Sequence, residues 1–314
     1  MQQGDSQADG RYQIATAWLD GGPAIVVRDA AGVTALAALA GSSPASVLEL
    51  IEQWPLWQGR IESQLAATAA RELDESALEW LPPVMPRKLI CIGVNYGAHN
   101  REMLGAFAAP VPFSFLKPPT TALVGSGRTI LLPEHAQKID YEAELAVVIG
   151  RRAFSIEDAE ALDCVFGYSV LNDLSARDWI ASDSPLGPDW TMAKGFNESA
   201  PMGPWITPAR FVEDPQALDI SLTVNGEVKQ DSNTAEMIFS VAQVVKHLAG
   251  VMALEPGDVI ATGTPSGVGA GRKPPEFLQP GDEIRVEVEG LGVLETRIAA
   301  PDRAPKARLE EAQT

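Results

Sequence analysis

The sequence predicts an α+β chain that is mainly β, and three observations carry that reading. LEWLPPVMPRKL places three prolines in a short space and marks a boundary near residues 81–87. Ahead of it, two strand-like runs are followed by helical patterns. Beyond Lys88 the chain becomes a series of short β-rich runs separated by Gly, Pro, Asn and Asp turns, with one convincing helix. The division is a small α+β N-terminal domain over residues 1–83, a mixed, largely antiparallel β domain (sandwich or roll) over 84–300, and a polar tail over 301–314.

The first ten residues are polar and are expected to be disordered. RYQIATAWL and AIVVRDA read as paired strands, SPASVLELIEQW as a helix, and IESQLAATAARELD as the site of a second helix. Such a unit suits a lid or a dimer-packing domain. KLICIGVNY, LAVVIG, CVFGYSVLND, DISLTVNGEV, DVIATGTP and EIRVEVEG supply the strands of the larger domain, and VNGEV carries the Asn-Gly signal of a tight hairpin. In TAEMIFSVAQVVKHLAGV the apolar residues recur at helical spacing, with Thr234 as candidate N-cap and Gly250 as the stop.

The 314 residues are 46% hydrophobic and 21% charged, enough to bury a substantial core. Acidic residues outnumber basic ones 42 to 24, and the formal charge of −18 argues against nucleic acid and anionic membrane surfaces as partners. No run has the length of a membrane span, and the start lacks signal-peptide character, so a cytoplasmic location is expected. The two cysteines, Cys91 and Cys164, sit in apolar runs and read as reduced core residues. With three histidines, a multi-histidine zinc site is nearly excluded, and any metal should be held by oxygen.

KIDYEAELAVVIG, residues 138–150, raises the first chemical question. As a strand it turns Asp140, Glu142 and Glu144 to one face and Tyr141, Ala143, Leu145, Val147 and Ile149 to the other. Same-face neighbours about 7 Å apart repel by roughly 2 kcal/mol at an effective dielectric of about 20. The acidic face is therefore either solvated or completed by a cation. Asp173, closing the apolar run VFGYSVLND, caps the next turn or binds something; Asp178 is a further candidate, but the adjacent Arg177 suggests structural pairing. His99 and Glu102 are three apart, which on a helix joins imidazole to carboxylate, as an oriented base or as a surface contact. Lys194 is the lone basic residue of TMAKGFNESAPMGPW, an anion anchor or a snorkelling surface lysine. TGTPSGVGAG lacks the ending of a phosphate loop and reads as a tight turn approaching a ligand, and no Gly-x-Ser-x-Gly elbow exists.

Taken together, ICIGVNYGAHNREM, FLKPPTTALVG, DYEAELAVVIG, GYSVLNDLSARDW, AKGFNESAPMGPW, VNGEVKQDSNTAEMIF and GDVIATGTPSGVG resemble, in order, the motif series of the fumarylacetoacetate hydrolase family. The likeness runs from Lys88 to Ile298 and falls in the branch of acylpyruvases and 2-hydroxyhepta-2,4-diene-1,7-dioate isomerases. It implies a homodimer with a mixed β-sandwich roll, binding one Mg²⁺, with Mn²⁺ or Ca²⁺ as alternatives. It implies Glu142, Glu144 and Asp173 as metal ligands, His99 and Glu102 as a water-activating dyad on a lid, Lys194 as a catalytic contact to the substrate carboxylate or enolate, and Tyr96 and Thr264 as further substrate-binding residues. Asp140 falls outside the ligand set, and Lys117 is expected to be structural. Two departures bear on substrate: Val94 stands where many relatives have arginine, and Ile180 where acylpyruvase relatives often have glutamine. Both make the pocket less polar and favour an apolar acyl group over a small dicarboxylate such as oxaloacetate.

The chemistry implied is hydrolytic C–C cleavage of a 2,4-dioxo acid, such as arises in aromatic catabolism. A 2-oxo acid chelates a divalent ion through its carboxylate and keto oxygens, and the ion favours the enolate that develops as the bond breaks. The same enolate arises by loss of carbon dioxide or by a double-bond shift, so decarboxylase and isomerase activities are the alternatives. A catalytically silent metal-stabilised binding protein is a third, opposed by the presence of His99 and Glu102.

Overall fold

The computed structural model describes residues 10–68, 71–105, 109–180 and 185–301. Residues 1–9 and 302–314, expected as a disordered start and a polar tail, lie outside the described residues.

Two sheets face each other across the main core. The larger has six strands in the order Thr207–Pro208, Val165–Asn172, Ala143–Ile149, Val259–Ala261, Leu89–Gly93 and Phe113–Lys117. The other has five, in the order Glu227–Asn233, Asp219–Val224, Glu283–Val288, Gly292–Ala299 and Thr129–Leu131. Period-two alternation sorts the central strand: Ala143, Leu145, Val147 and Ile149 enter the cluster shared with Ile220, Leu222 and Val286, whereas Ala146 and Val148 face the opposite layer. That layer is N-terminal. Strands Gln13–Leu19, Gly22–Asp29, Gly32–Ala35 and Glu79–Trp80 form a four-stranded sheet whose Ile14, Ile25 and Val27 join one buried cluster with Leu89, Val148 and Val259. A strand buried on both faces loses about 2–5 kcal/mol for each large residue cut to alanine, so its position is firmly held.

The Asn225–Gly226 hairpin forms as expected: φ is 52° and 79° at the two turn residues, and Val224 pairs with Glu227. Both cysteines are free and buried. Three local expectations are corrected. The first helix is shorter, Val47–Glu52, because the Ser46 hydroxyl accepts from Glu49 N and caps it there. The second starts earlier, at Trp54, where Pro55 fits the first turn, and ends at Ala67. The third begins at Val241, not after Thr234. Ser240 and Gln243 form a reciprocal capping box, while Met237, Ile238 and Phe239 are drawn off to pair with Tyr96 and Asn95. Gly250 ends that helix as anticipated.

Candidate metal and active site

The acidic stretch is not one continuous strand. Ile139–Asp140 pairs with Ser175–Ala176, and the chain breaks at Tyr141 and Glu142 before Ala143–Ile149 enters the large sheet. Asp140, Glu142 and Glu144 are all buried, which removes the solvated-face reading. Ala143 pairs with Asn172, so the ladder brings the end of the neighbouring strand, and with it Asp173, beside Glu142 and Glu144. Asp173 N donates to Glu142 O, fixing the juxtaposition. Oxygens of Glu142, Glu144 and Asp173 all lie within 4.8 Å of one another.

Cations reach this cluster from distant segments. Lys194 Nζ donates to Glu142 Oε2 and Asp173 Oδ2, both at 2.7 Å, so it is neither a snorkelling residue nor exposed. Arg177 spans Asp140 at 2.8 Å and Glu142 at 2.7 Å, which corrects its expected pairing with Asp178; Asp178 instead accepts the Gln137 and Lys138 amides. Lys117 is 1% exposed and donates to Asp173 and to the Leu174 and Ser199 carbonyls, so its structural role is to orient that carboxylate. Gln230, missed in the sequence, accepts from Ala143 N and donates to Thr264 Oγ1, tying the acidic strand to the Thr264 turn.

The charges do not balance within this group. With all four carboxylates ionised, Asp140, Glu142, Glu144 and Asp173 face Lys117, Arg177 and Lys194 with one negative charge in excess. Burial raises the Glu142 carboxyl, but Lys194 and Arg177 outweigh it and hold the group at about 2. Glu144 has the opposite fate. Burial, then Asp173 and Glu142, push its carboxyl well above the usual range, against the charge of Lys194 and one backbone hydrogen bond from Gly263 N at 2.8 Å. A buried trio of hard oxygen donors with surplus negative charge fits Mg²⁺, Mn²⁺ or Ca²⁺, and Glu142, Glu144 and Asp173 are the residues that would hold it.

A cavity of about 610 Å³ opens onto these carboxylates. Lys194, His99, Arg177 and Thr264 line the same polar end, while Val94, Met103, Val111, Phe113, Ile180 and Trp190 line the rest. Phe115 stacks on Trp190 with centroids 5.2 Å apart, and Lys194 Nζ lies 5.2 Å from the Phe115 ring centre. His99 and Glu102 occupy the helix Gly97–Leu104, with Nδ1 3.6 Å from Glu102 Oε2. This is longer than a hydrogen bond, and Nδ1 has no other partner among the described residues. Tyr96 is buried at 1% exposure, its hydroxyl hydrogen-bonds no described group, and it stands outside the cavity lining.

Residues 88–299 match the family model of the fumarylacetoacetate (FAA) hydrolase C-terminal domain. The chain belongs to the fumarylacetoacetate hydrolase family. Over 269 residues it is 39% identical to the mitochondrial oxaloacetate tautomerase FAHD2A of Bos taurus, covering 85% of this chain and 84% of that protein. The structure of maleylpyruvate hydrolase from Sphingobium superposes with a TM-score of 0.75 at 31% identity, covering 92% of this chain and 99% of the other. That of 2-hydroxyhepta-2,4-diene-1,7-dioate isomerase from Mycobacterium marinum gives 0.69 at 30%, covering 93% and 99%. This is therefore a family enzyme with the α+β fold of these neighbours, and the family holds hydrolase, isomerase and tautomerase members. No helix among the described residues is long and apolar enough to cross a membrane.

Proposed function

We propose that the chain is a divalent-metal-dependent hydrolase that cleaves the C–C bond of a 2,4-dioxo acid with an apolar distal acyl group. The observation that carries this is one cavity whose carboxylate-and-lysine end adjoins His99 and whose remainder is apolar and aromatic. A divalent ion held by Glu142, Glu144 and Asp173, with Mg²⁺ the first choice, supplies Lewis acidity toward the carboxylate and keto oxygens of a 2-oxo acid.

The protein's own groups do the rest. Lys194, fixed between Glu142 and Asp173, offers positive charge to an oxyanion at the polar end. Thr264, oriented by Gln230, lines the same cavity. Glu102 faces Nδ1 of His99, which leaves Nε2 to take a proton from water. The hydroxide formed adds to the distal carbonyl, the C–C bond breaks toward the 2-oxo acid fragment, and that fragment takes up a proton. The products are a carboxylic acid and pyruvate. Apolar walls at Val94 and Ile180 give a second carboxylate no partner.

Isomerisation or tautomerisation is the second reading, favoured by the 39% identity to the tautomerase; it needs the polar end and no water activation, and decarboxylation needs no more. The test is a panel of acylpyruvates, oxaloacetate and ring-cleavage dienoates with Mg²⁺, followed by product NMR in H₂¹⁸O. Label in a new carboxylate identifies hydrolysis; a shifted double bond without label refutes it. A homodimer is proposed on the family likeness and on the edge strand Phe113–Lys117, which exposes Phe113 and Leu116. A monomer in sedimentation equilibrium would remove that part.

A further inference from the structure

The glycine-rich turn after strand Val259–Ala261 has no ligand in the proposed chemistry beyond Thr264, yet Gly271 is under a severe constraint. Its φ lies outside the left-handed region, so its backbone does not call for glycine. Space does. A Cβ there would stand 2.2 Å from Cδ, 2.4 Å from Cγ and 2.5 Å from Oε1 of Glu102. Carbon atoms pack best at about 3.5–4.0 Å, so this overlap is not absorbed by small adjustments. On the same turn Gly267 N donates toward both Glu102 oxygens, at 3.2 and 3.1 Å.

The turn is fixed by contacts that do not involve Glu102. Gly269 N and Ala270 N donate to Asp140 at 2.7 and 3.0 Å, and Glu276 N donates to Gly269 O at 2.9 Å. Arg272 braces its far side through Tyr141 Oη and Lys229 O. Asp140 is buried and held in turn by Arg177, whose other nitrogen holds Glu142. Glu102 is the soft member: a partly exposed, flexible side chain reaching across from the helix Gly97–Leu104. A methyl group at 271 therefore displaces Glu102, not the turn.

We infer that the Gly267–Gly271 turn is the seat of Glu102, and that Gly271 is a positioning residue whose missing side chain sets the carboxylate against His99. The inference rests on the His99–Glu102 reading above. The same seat joins the helix that carries the dyad to the carboxylate cluster, through Asp140 and Arg177.

Three histidines make the test direct. Ring ¹⁵N–¹H spectra of histidine-labelled, full-length protein give separate signals for His99, His135 and His247. Glu102→Gln should move the His99 signals and leave the other two in place. Gly271→Ala should move them in the same direction by at least about half as much, and lower kcat on the best panel substrate about tenfold or more with KM within about twofold. Glu102→Ala removes all three atoms that crowd position 271, so adding Gly271→Ala to it should change nothing further. A His99 signal moved by Glu102→Gln but not by Gly271→Ala overturns the inference and leaves the dyad standing. A signal moved by neither refutes the dyad, and the inference falls with it. If Gly271→Ala perturbs all three histidines, and does so equally in the Glu102→Ala background, the glycine serves the fold and the inference is wrong.

Discussion

Glu142 and Glu144 are separated by one residue and both buried, yet their conversion to glutamine should have opposite effects on the metal-free protein. Carboxylates within 4.8 Å of one another repel by roughly 3.5 kcal/mol per pair at an effective dielectric of about 20. Glu142 is paired directly with Arg177 and Lys194; Glu144 has one backbone amide and the charge of Lys194 without a direct ion pair. Burial and its two acidic neighbours raise the Glu144 carboxyl, so the folded chain holds a proton that the unfolded chain releases. The contribution of such a group is fully present below the ordinary carboxylate value and is lost as pH rises through the raised one, at about 1.4 kcal/mol per pH unit. For a chain of 314 residues that is roughly 2 °C of Tm per unit. Glu144→Gln abolishes that slope and should raise the metal-free Tm at pH 7 relative to wild type. Glu142→Gln takes one of two carboxylate partners from each of Arg177 and Lys194, leaving Asp140 and Asp173 to hold them, and lowers Tm. The Glu142 contribution, present above the ordinary carboxylate value, is lost as pH falls toward about 2. The assay is scanning fluorimetry of chelator-stripped protein between pH 5 and 8, with and without saturating Mg²⁺. Wild type should gain Tm from Mg²⁺ and Glu144→Gln should not. A metal-free Glu144→Gln protein that melts lower than wild type at pH 7, or one that keeps the full Mg²⁺ shift, refutes the account of unbalanced charge.

Mg²⁺ titration calorimetry of Glu142→Gln should show affinity reduced about tenfold or more, since a neutral amide is a poorer ligand for a hard ion. His99→Ala should lose about a hundredfold or more in kcat while oxalate, a planar chelator read by inhibition and calorimetry, binds within about threefold of wild type; Glu102→Gln should be a milder copy. Val94, at φ 54°, lines the cavity, and Val94→Arg should raise the kcat/KM of oxaloacetate relative to an apolar acylpyruvate about tenfold or more. Competition between the two substrates checks it, and oxaloacetate preferred by the unmodified protein would contradict the apolar-pocket argument.

The parts of the site legible in the sequence were those in which one segment declares its own chemistry. Glu142 and Glu144 stand out because alternation places like charges beside hydrocarbon, and Asp173 because it ends a buried strand. Arg177, Lys117 and Gln230 carry no such local mark. Arg177 meets Asp140 across 37 positions, Lys117 meets Asp173 across 56, and Gln230 meets Ala143 N across 87. Only the sheet order brings these together. Arg177 even offered a false local partner in Asp178, which is taken up by two backbone amides. The helix start shows the same competition: Thr234 and Ser240 are both plausible caps, and pairing of 237–239 with Tyr96 and Asn95 selects the second. The strands were easier, because burial on both faces leaves long apolar runs whose type depends little on their partners.

The pairing of Ala143 with Asn172 has a bearing on how the chain finds its native state. The ladder between these two strands is regular from Ala143 to Val148 and is irregular only between Val148 and Ile149, at the end away from the carboxylates. A slip by one residue would turn Glu144 into the apolar cluster and present Leu145 to the cavity. Misregistered chains would thus lack the oxygen trio altogether, and an ion present during refolding would recognise only the correctly paired form. Ladder alignment and ion affinity would then be two readings of one variable, and a divalent cation held by this trio would favour correctly paired chains.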